Sequence, residues 1–410
     1  MRRTVRRLAI LAALLWLALP AAPSRADPGF QAFLAGVWPE AQRHGITRAT
    51  FEAATRGLAP DYGLPDLVVP GRPERPDRAQ PEFVQTPAAY LSEKTISRLA
   101  AHGRLLLARH RATLDAIERE HGVPATVVLA IFGRETDYGR HKLQHGAIRV
   151  LATQAYVGRR KAQFREELLL ALKMVQEGHA SLAMKSSWAG ALGLTQFLPS
   201  DFYRYAVDFD GDGRRDIFGS VPDALASAAR QLVGKGWQRG RRWAYEVRAP
   251  ADVDCTIAQP GHTQPIREWL RRGFVPARGL RPGAMEMSEP ASLLLPEGTY
   301  GPAFLTPKNY YVIKDYNFSD LYVLFVGHLA DRIGAARPFE TPWSKSTQLR
   351  TVEVEAMQRR LAELGLYGDK IDGKAGMLTR AALGAYQKAN GLKLDCWPTA
   401  EVLAHMRARR

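Results

Sequence analysis

The 410-residue chain predicts a mainly α (α+β) protein: a large helical domain with a small β-containing region, then a short linker and a C-terminal three-helix module. Three observations carry this. Apolar residues recur at helical spacing along most of the chain. Residues 245–340 are richer in Pro and Gly, with short β-favouring runs. Helical period then returns after a polar, proline-containing stretch at 337–350. The resulting division is a leader at 1–26, a large domain at 27–336, the linker 337–350 and the module 351–410.

Taken in order, Arg2, Arg3, Arg6 and Arg7 precede the apolar run Leu8 to Leu19, followed by Pro20 and the small-residue site Ser24-Arg25-Ala26. This is the pattern of a cleaved secretory signal. The run is too short to span a bilayer, and no later segment reaches the roughly 18 apolar residues a span requires. No cysteine before Cys255 offers a lipidation site, so the expectation is a soluble periplasmic protein with no transmembrane segment once it is mature. Residues 27–57 place Phe30, Phe33, Leu34 and Val37 on one helical stripe. Prolines 60, 65, 70, 73, 76, 81 and 87 then predict an extended surface run. A long helix is expected over 92–120. Gly122-Val123-Pro124 opens the next one and Gly139 closes it, and further helices are expected at 162–177 and 222–236. Within 245–340, Tyr310-Tyr311-Val312-Ile313 is one of the short β-favouring runs. In the module, Val354, Met357, Gln358, Leu361 and Leu364 share a face that ends at Gly365. Thr379 opens a second helix through Ala382, Leu383 and Tyr386, and Pro398 opens a third.

The formal charge is +16, and the leader holds five arginines and no acid, so residues 27–410 keep +11. Outside the cytoplasm the matching polyanion is the cell envelope. The basic residues are dispersed and not interleaved with aromatics, which argues against nucleic acid. Cys255 and Cys396 could pair in an oxidising compartment, but they fall in different predicted domains and two cysteines are not a disulfide framework, so pairing is the lesser of the two expectations.

The stretch VVLAIFGRETDYGR, residues 127–140, carries the most chemistry. Val128, Ile131 and Phe132 set a stripe whose next member is Glu135. A carboxylate on a core-facing stripe must be paired, protonated or lining a cavity. Two readings stand at this point: a general acid, or a structural ion pair with a nearby arginine. Asp137 faces nearly the opposite way and is a poor second carboxylate. Asp208, Asp210, Asp212 and Asp216 occupy positions 1, 3, 5 and 9 of an EF-hand-like loop, with Arg214 at position 7 and glycine at 6. Gly219 stands where the bidentate carboxylate belongs, so the loop is either a weak, structural Ca2+ site or a polar turn without metal. In SSWAGALGLTQFLP, Gly190 and Gly193 permit close backbone approach, and Gln196 can donate to and accept from an amide. Trp188 and Trp237 are the tryptophans nearest these candidates in sequence. There is no GxSxG, HExxH, P-loop or GxGxxG, which takes most of the support from serine-hydrolase, zinc-peptidase and nucleotide-dependent readings.

GRETDYGR at 133–140, SWAGALGLTQFLPS at 187–200, YAVDFDGDGRRDIFGS and YVIKDYN at 311–317 together resemble the lytic murein transglycosylase family B, over about residues 28–335. The module, with MQRRLAELGLYGDKIDGKAGMLTRAALGAYQKANGL, is similar to three-helix peptidoglycan-binding domains. Departures are Asp137 and Tyr138 after the acid, Gly219 in the metal loop, and Asp395-Cys396-Trp397 where an Asp-Gly turn is usual. The resemblance implies a lysozyme-like catalytic domain with Glu135 as the sole acid and then base, no required cofactor, and a 1,6-anhydromuramoyl product. It also implies that Ser187 positions Glu135, that Gln196, Tyr316 and Asn317 hold the saccharide, and that Tyr156, Arg159 and Arg160 lie where acidic peptide stems bind. The implied partners are peptidoglycan glycan strands, their stem peptides and other cell-wall enzymes. The near alternative is a lysozyme-type hydrolase with a second carboxylate, and the distant one is a non-catalytic wall-binding scaffold.

Overall fold

A computed structural model describes residues 27–71, 85–344 and 349–409. The predicted leader, residues 72–84 of the proline-rich run and residues 345–348 of the linker lie outside them. Asp27 caps α1 (Pro28–Arg43) by accepting from Phe30 N–H at 2.9 Å, and Pro28 fills the first turn, where its missing N–H costs nothing. With α2 (Arg48–Thr55), α1 packs on the hairpin of α3 (Ala147–Val157) and α4 (Lys161–Gln176) around Phe30, Phe164, Leu168 and Phe202. The described part of the proline-rich run lies along α3: Val68 N–H donates to Val157 O at 2.7 Å and Gln154 Nε2 to Pro65 O at 3.0 Å.

A second core joins Glu93–Arg109, Arg111–His121, Ala125–Thr136, Val221–Gly234 and Asp320–Ile333 through Ile96, Leu114, Val128, Ile131, Leu232 and Val326. The long helix expected over 92–120 is two helices, broken at His110, so each can lay its own apolar face on this core. Helices at 147–157 and 320–333 were not anticipated. The 245–340 region supplies a five-stranded antiparallel sheet, with Ala303–Thr306 at its centre between Pro290–Leu294 and Tyr245–Arg248, and Leu293 opposite Leu305. Its β-favouring run at 310–313 is nonetheless helical, within Lys308–Asn317, because Tyr310, Val312 and Ile313 are all fully buried there. Burial by tertiary contacts overrides a local preference worth at most about 1 kcal/mol.

The module forms its three helices, Thr351–Glu363, Met377–Ala389 and Ala400–Ala408, around Met357, Leu361, Leu383 and Leu403. Two features fasten the module. Residues 337–344, part of the expected linker, pack on the large domain: Phe339 stacks on His328 at 3.8 Å, and Glu246 accepts the Glu340 and Thr341 amides. Cys255 and Cys396 form a disulfide across the presumed domain boundary, because Lys388–Asp254, Tyr300–Asp395 and the Thr299 amide to Asp395 O bring the two surfaces together.

Candidate active site

The Ala125–Thr136 helix is apolar nearly all round, as an interior helix must be. Its last turn brings Glu135 to the edge of the core, half-buried. Asp137 (φ 50°) and Tyr138 (φ 59°) then turn the chain left-handed. Tyr138 donates to Leu99 O at 2.9 Å and covers Gly133, where a Cβ would come within 2.6 Å of its ring. Asp137 is ion-paired to Arg98 at 3.0 Å and Arg140 at 2.8 Å, so it takes no part beside Glu135. Arg134 lies against Tyr90 and Phe325, with its Nη2 2.6 Å from the Tyr90 hydroxyl.

Glu135 Oε1 accepts from Tyr322 Oη at 2.5 Å. Tyr322 stacks in parallel on Tyr316, and Tyr316 Oη donates to Thr195 O at 2.7 Å. Thr136 Oγ1 donates to Leu194 O at 2.7 Å, tying the end of the Glu135 helix to the same loop. Burial first, and then the charge on Glu135, hold the Tyr316 and Tyr322 phenols well above their ordinary range, so both remain neutral donors. Asn317, next to Tyr316, has a buried Oδ1 with no hydrogen-bond partner. The loop itself is tight. Gly193 (φ 70°) would place a Cβ 2.5 Å from Ile217 O, while Gln196, also left-handed, donates from Nε2 to Gly193 O at 3.0 Å. Glu135, Gln196, Tyr316 and Asn317 are thus joined through one loop and one pair of tyrosines.

The other predicted residues are engaged differently. Ser187 Oγ accepts from the Ala189 and Ala191 amides at 3.3 and 3.1 Å and closes its own turn, leaving its proton to donate. Tyr156 packs edge-on to Phe30 and close to Phe33, and Arg159 and Arg160 share the Asp66 carboxylate at 3.4 and 3.3 Å, on the N-terminal side of the molecule. Trp237 is buried, with its indole N–H on Gly122 O. The acid whose charge reaches Tyr316 besides Glu135 is Asp201. Burial pushes its carboxyl up, and its Oδ2 accepts the Leu198 amide at 3.4 Å as the cap of a short helix.

In the metal loop, carboxylate oxygens of Asp208, Asp210 and Asp212 lie within 4.8 Å of one another and face solvent. Asp208 also accepts from the Gly211, Asp212 and Gly213 amides, and Asp216 from Phe218 and Gly219. Three convergent hard oxygen donors fit Ca2+. Sequence reasoning missed the residue that shapes the loop, fully buried Asp223, which accepts the Phe209, Asp210 and Asp216 amides at 2.8, 3.3 and 2.8 Å. The Ser220-x-x-Asp223 capping pattern was the available signal. It also missed Tyr322; the signal there was the spacing of Tyr322, Val326, Leu329 and Ile333, obscured by treating 245–340 as one β-rich unit.

A helical carboxylate at the edge of a core, with tyrosines and the glycine-rich loop of Gly193 and Gln196 around it and a helical module beside it, defines a lysozyme-like glycan-cleaving protein. The chain belongs to the transglycosylase SLT family: residues 29–331 match that domain, and residues 350–406 match a peptidoglycan binding domain. The crystal structure of SltB3 from Pseudomonas aeruginosa in complex with NAG-anhNAM-pentapeptide superposes with a TM-score of 0.83 at 37% identity, over 94% of this chain and 100% of that one. The membrane-bound lytic murein transglycosylase B of Escherichia coli (strain K12) is 33% identical over 230 residues, 54% of this chain and 61% of that protein. The Escherichia coli transglycosylase Slt35, solved in complex with calcium, shares the fold at 24% identity and a TM-score of 0.58, over 77% of this chain and 99% of that one. Among the described residues no helix is long and apolar enough to cross a membrane.

Proposed function

We propose that this chain is an exported, periplasmic lytic transglycosylase that cleaves the β-1,4 bond between N-acetylmuramic acid and N-acetylglucosamine in peptidoglycan, with Glu135 as acid and then base. Protonated Glu135 gives its proton to the glycosidic oxygen as the C1–O bond breaks, and the N-acetylglucosamine side leaves as an alcohol. The resulting carboxylate takes the proton of the muramoyl C6 hydroxyl, whose oxygen closes on C1 to form the 1,6-anhydro ring. The acid is regenerated and no water is consumed. The observation that carries this is the position of Glu135: half-buried, held by Tyr322, and linked through the stacked Tyr316 to the loop of Gln196. Tyr322 fixes the carboxyl orientation, Ser187 uses its remaining proton for the same purpose, and Gln196, Tyr316 and Asn317 hold the sugar's amide and hydroxyl groups. Tyr156, Arg159 and Arg160 form an outlying contact for acidic stems, with the two guanidinium groups side by side at Asp66. A two-carboxylate hydrolase would need a second acid aimed at the anomeric carbon, and Asp201 is occupied as a helix cap. The buried Cys255–Cys396 disulfide supports an oxidising compartment. Ca2+ bound through Asp208, Asp210, Asp212, Asp216 and the Arg214 carbonyl would supply structural support to the loop and takes no part in the reaction.

The test is mass spectrometry of muropeptides released from purified sacculi. Wild type should release products ending in 1,6-anhydromuramic acid and Glu135→Gln none. Products one water heavier would make the protein a hydrolase.

A further inference from the structure

Glu135 is preceded by a cation that the mechanism does not use. Arg134 sits one residue earlier on the Ala125–Thr136 helix, about 100° around its axis. It is half-buried, and its Nε and Nη2 both point at the Tyr90 hydroxyl, at 3.1 and 2.6 Å. The guanidinium carbon lies 5.0 Å from the centre of the Tyr90 ring and 5.1 Å from that of Phe325, two buried rings that meet edge to face at 5.8 Å. Among the described residues no carboxylate stands within ion-pair distance of this guanidinium, although a cation withdrawn from water is ordinarily paired. The same two helices hold both charges of the dipeptide. Asp320–Ile333 gives Tyr322 to the Glu135 carboxyl and, one turn on, Phe325 to the Arg134 cation, while the short helix Pro87–Tyr90 closes the slot from the other side.

We infer that Arg134 is a positioning residue for the reaction: its charge, held beside Glu135 in the slot between Tyr90 and Phe325, eases release of the Glu135 proton to the glycosidic oxygen; this rests on the reading of Glu135 as acid and then base. The acid whose charge reaches Arg134 is Glu135. Against the cost of burial, first the Tyr90 phenol and then the Glu135 carboxylate hold the guanidinium above its ordinary value. The attraction is mutual, so the cation favours the ionised carboxyl in turn, and partial burial leaves it weakly screened. No other charge around Glu135 does the same. Asp137 is neutralised by Arg98, from Glu93–Arg109, and by Arg140. Tyr322 and Tyr316 are neutral donors. Burial pushes the carboxyl of Asp201, on Pro199–Tyr205, upward, with Lys235 just past Val221–Gly234 opposing it. Glu118, from Arg111–His121, caps the far end of the Glu135 helix at Ala125. Arg134 is thus the fixed cation that acts on a carboxyl which must lose its proton in the first step and regain one in the second. With the cation in place the carboxylate forms readily as the leaving oxygen is protonated, and the acid form is confined to lower pH.

The test is the pH profile of kcat/KM on peptide-free glycan strands for wild type, for Arg134→Gln, which keeps a donor for Tyr90, and for Arg134→Lys, which keeps the charge. In Arg134→Gln the fall in rate on the alkaline side should move up by about one pH unit, the scale of an opposite charge beside a carboxyl. The plateau kcat should drop several-fold with KM unchanged. Arg134→Lys should restore the wild-type limb. A side chain that only supported packing would lower the plateau and leave the limb where it is. If Arg134→Gln fails to fold, Tyr90→Phe decides: it keeps the ring, removes the hydrogen bonds that aim the guanidinium, and should move the limb the same way by part of that step. An unmoved limb in the folded neutral variant, or a lysine that fails to restore it, overturns the inference. Glu135→Gln, run beside these, separates the two readings: with that variant inactive and anhydro ends on the wild-type products, the acid and base reading stands whatever the Arg134 profiles show.

Discussion

Tyr322 shows how a single hydroxyl can decide what a carboxylate does. Its ring is buried on Tyr316, and burial, then the Glu135 charge, hold its phenol well above its ordinary range, so it is a neutral donor to Glu135. A hydrogen bond to an ionised acceptor contributes roughly 1.5–3 kcal/mol. Tyr322→Phe keeps the stacked ring and removes that bond. It should lower kcat about 10- to 100-fold at the usual 1.4 kcal/mol per decade, with KM for glycan strands nearly unchanged. Stopped assays on peptide-free glycan measure this, and an unaltered kcat would reduce Tyr322 to packing. The sequence exposed Glu135 because a lone acid on the Val128–Ile131–Phe132 stripe violates its surroundings. Tyr322 violates nothing, since tyrosine is at home in a core, and its function appears only when two segments 187 residues apart are brought together.

At the scale of elements, periodic segments with caps were legible and composition-based ones were not. The stripe of Phe30, Leu34 and Val37 became α1, and the module's three helices formed where their apolar faces implied. The run at 310–313 shows the opposite: burial on all sides satisfies β-branched and aromatic residues in a helix as well as in a strand. The disulfide was illegible for a related reason. Domain boundaries drawn from composition cannot show that 337–344 is packed down and that the module returns to touch Cys255. Closing a 141-residue loop restricts the unfolded chain by about 5 kcal/mol in the chain-entropy account. Cys396→Gly relieves the positive φ but opens that loop, so it should lower the melting temperature, and reducing agent should affect wild type and not the variant. Differential scanning calorimetry with and without dithiothreitol reads both. The metal loop is already organised by Asp223 and by backbone amides on Asp208 and Asp216. Millimolar Ca2+ should therefore raise the melting temperature by only a few degrees, chelator should reverse this, and Asp210→Asn, which leaves the Asp223 contacts in place, should remove the response with activity retained.

For the molecule as a whole, the most exposed dependence is on acid, and it runs through His328. This residue is buried in the Asp320–Ile333 helix, stacked under Phe339 from the strap at 337–344, with Glu93 at 3.5 Å from its Nε2 and Arg332 and Arg278 on the other sides. Burial, and then the Arg278 charge, pull its pKa from 6.5 to about 3, against the opposing pull of Glu93. A histidine kept neutral in the fold but free to protonate when unfolded makes the unfolded state bind more protons below pH 6.5. Stability is therefore complete above about pH 6.5 and falls as pH drops toward 3, by at most about 1.4 kcal/mol per pH unit from this one group. Glu93, whose carboxyl Arg332 and Ser97 hold below its ordinary value despite burial, adds to the same loss at the acid end. His328 lies under the strap that leads to the module, so its protonation should loosen the stacking of Phe339 and the packing of 337–344. Urea denaturation between pH 7.5 and 4.5 should show the slope, and His328→Gln, which cannot take up the proton, should flatten it above pH 5 while Glu135 continues to act. If the variant keeps the wild-type slope, the acid sensitivity belongs to the paired carboxylates instead, and the strap is not where the fold first yields.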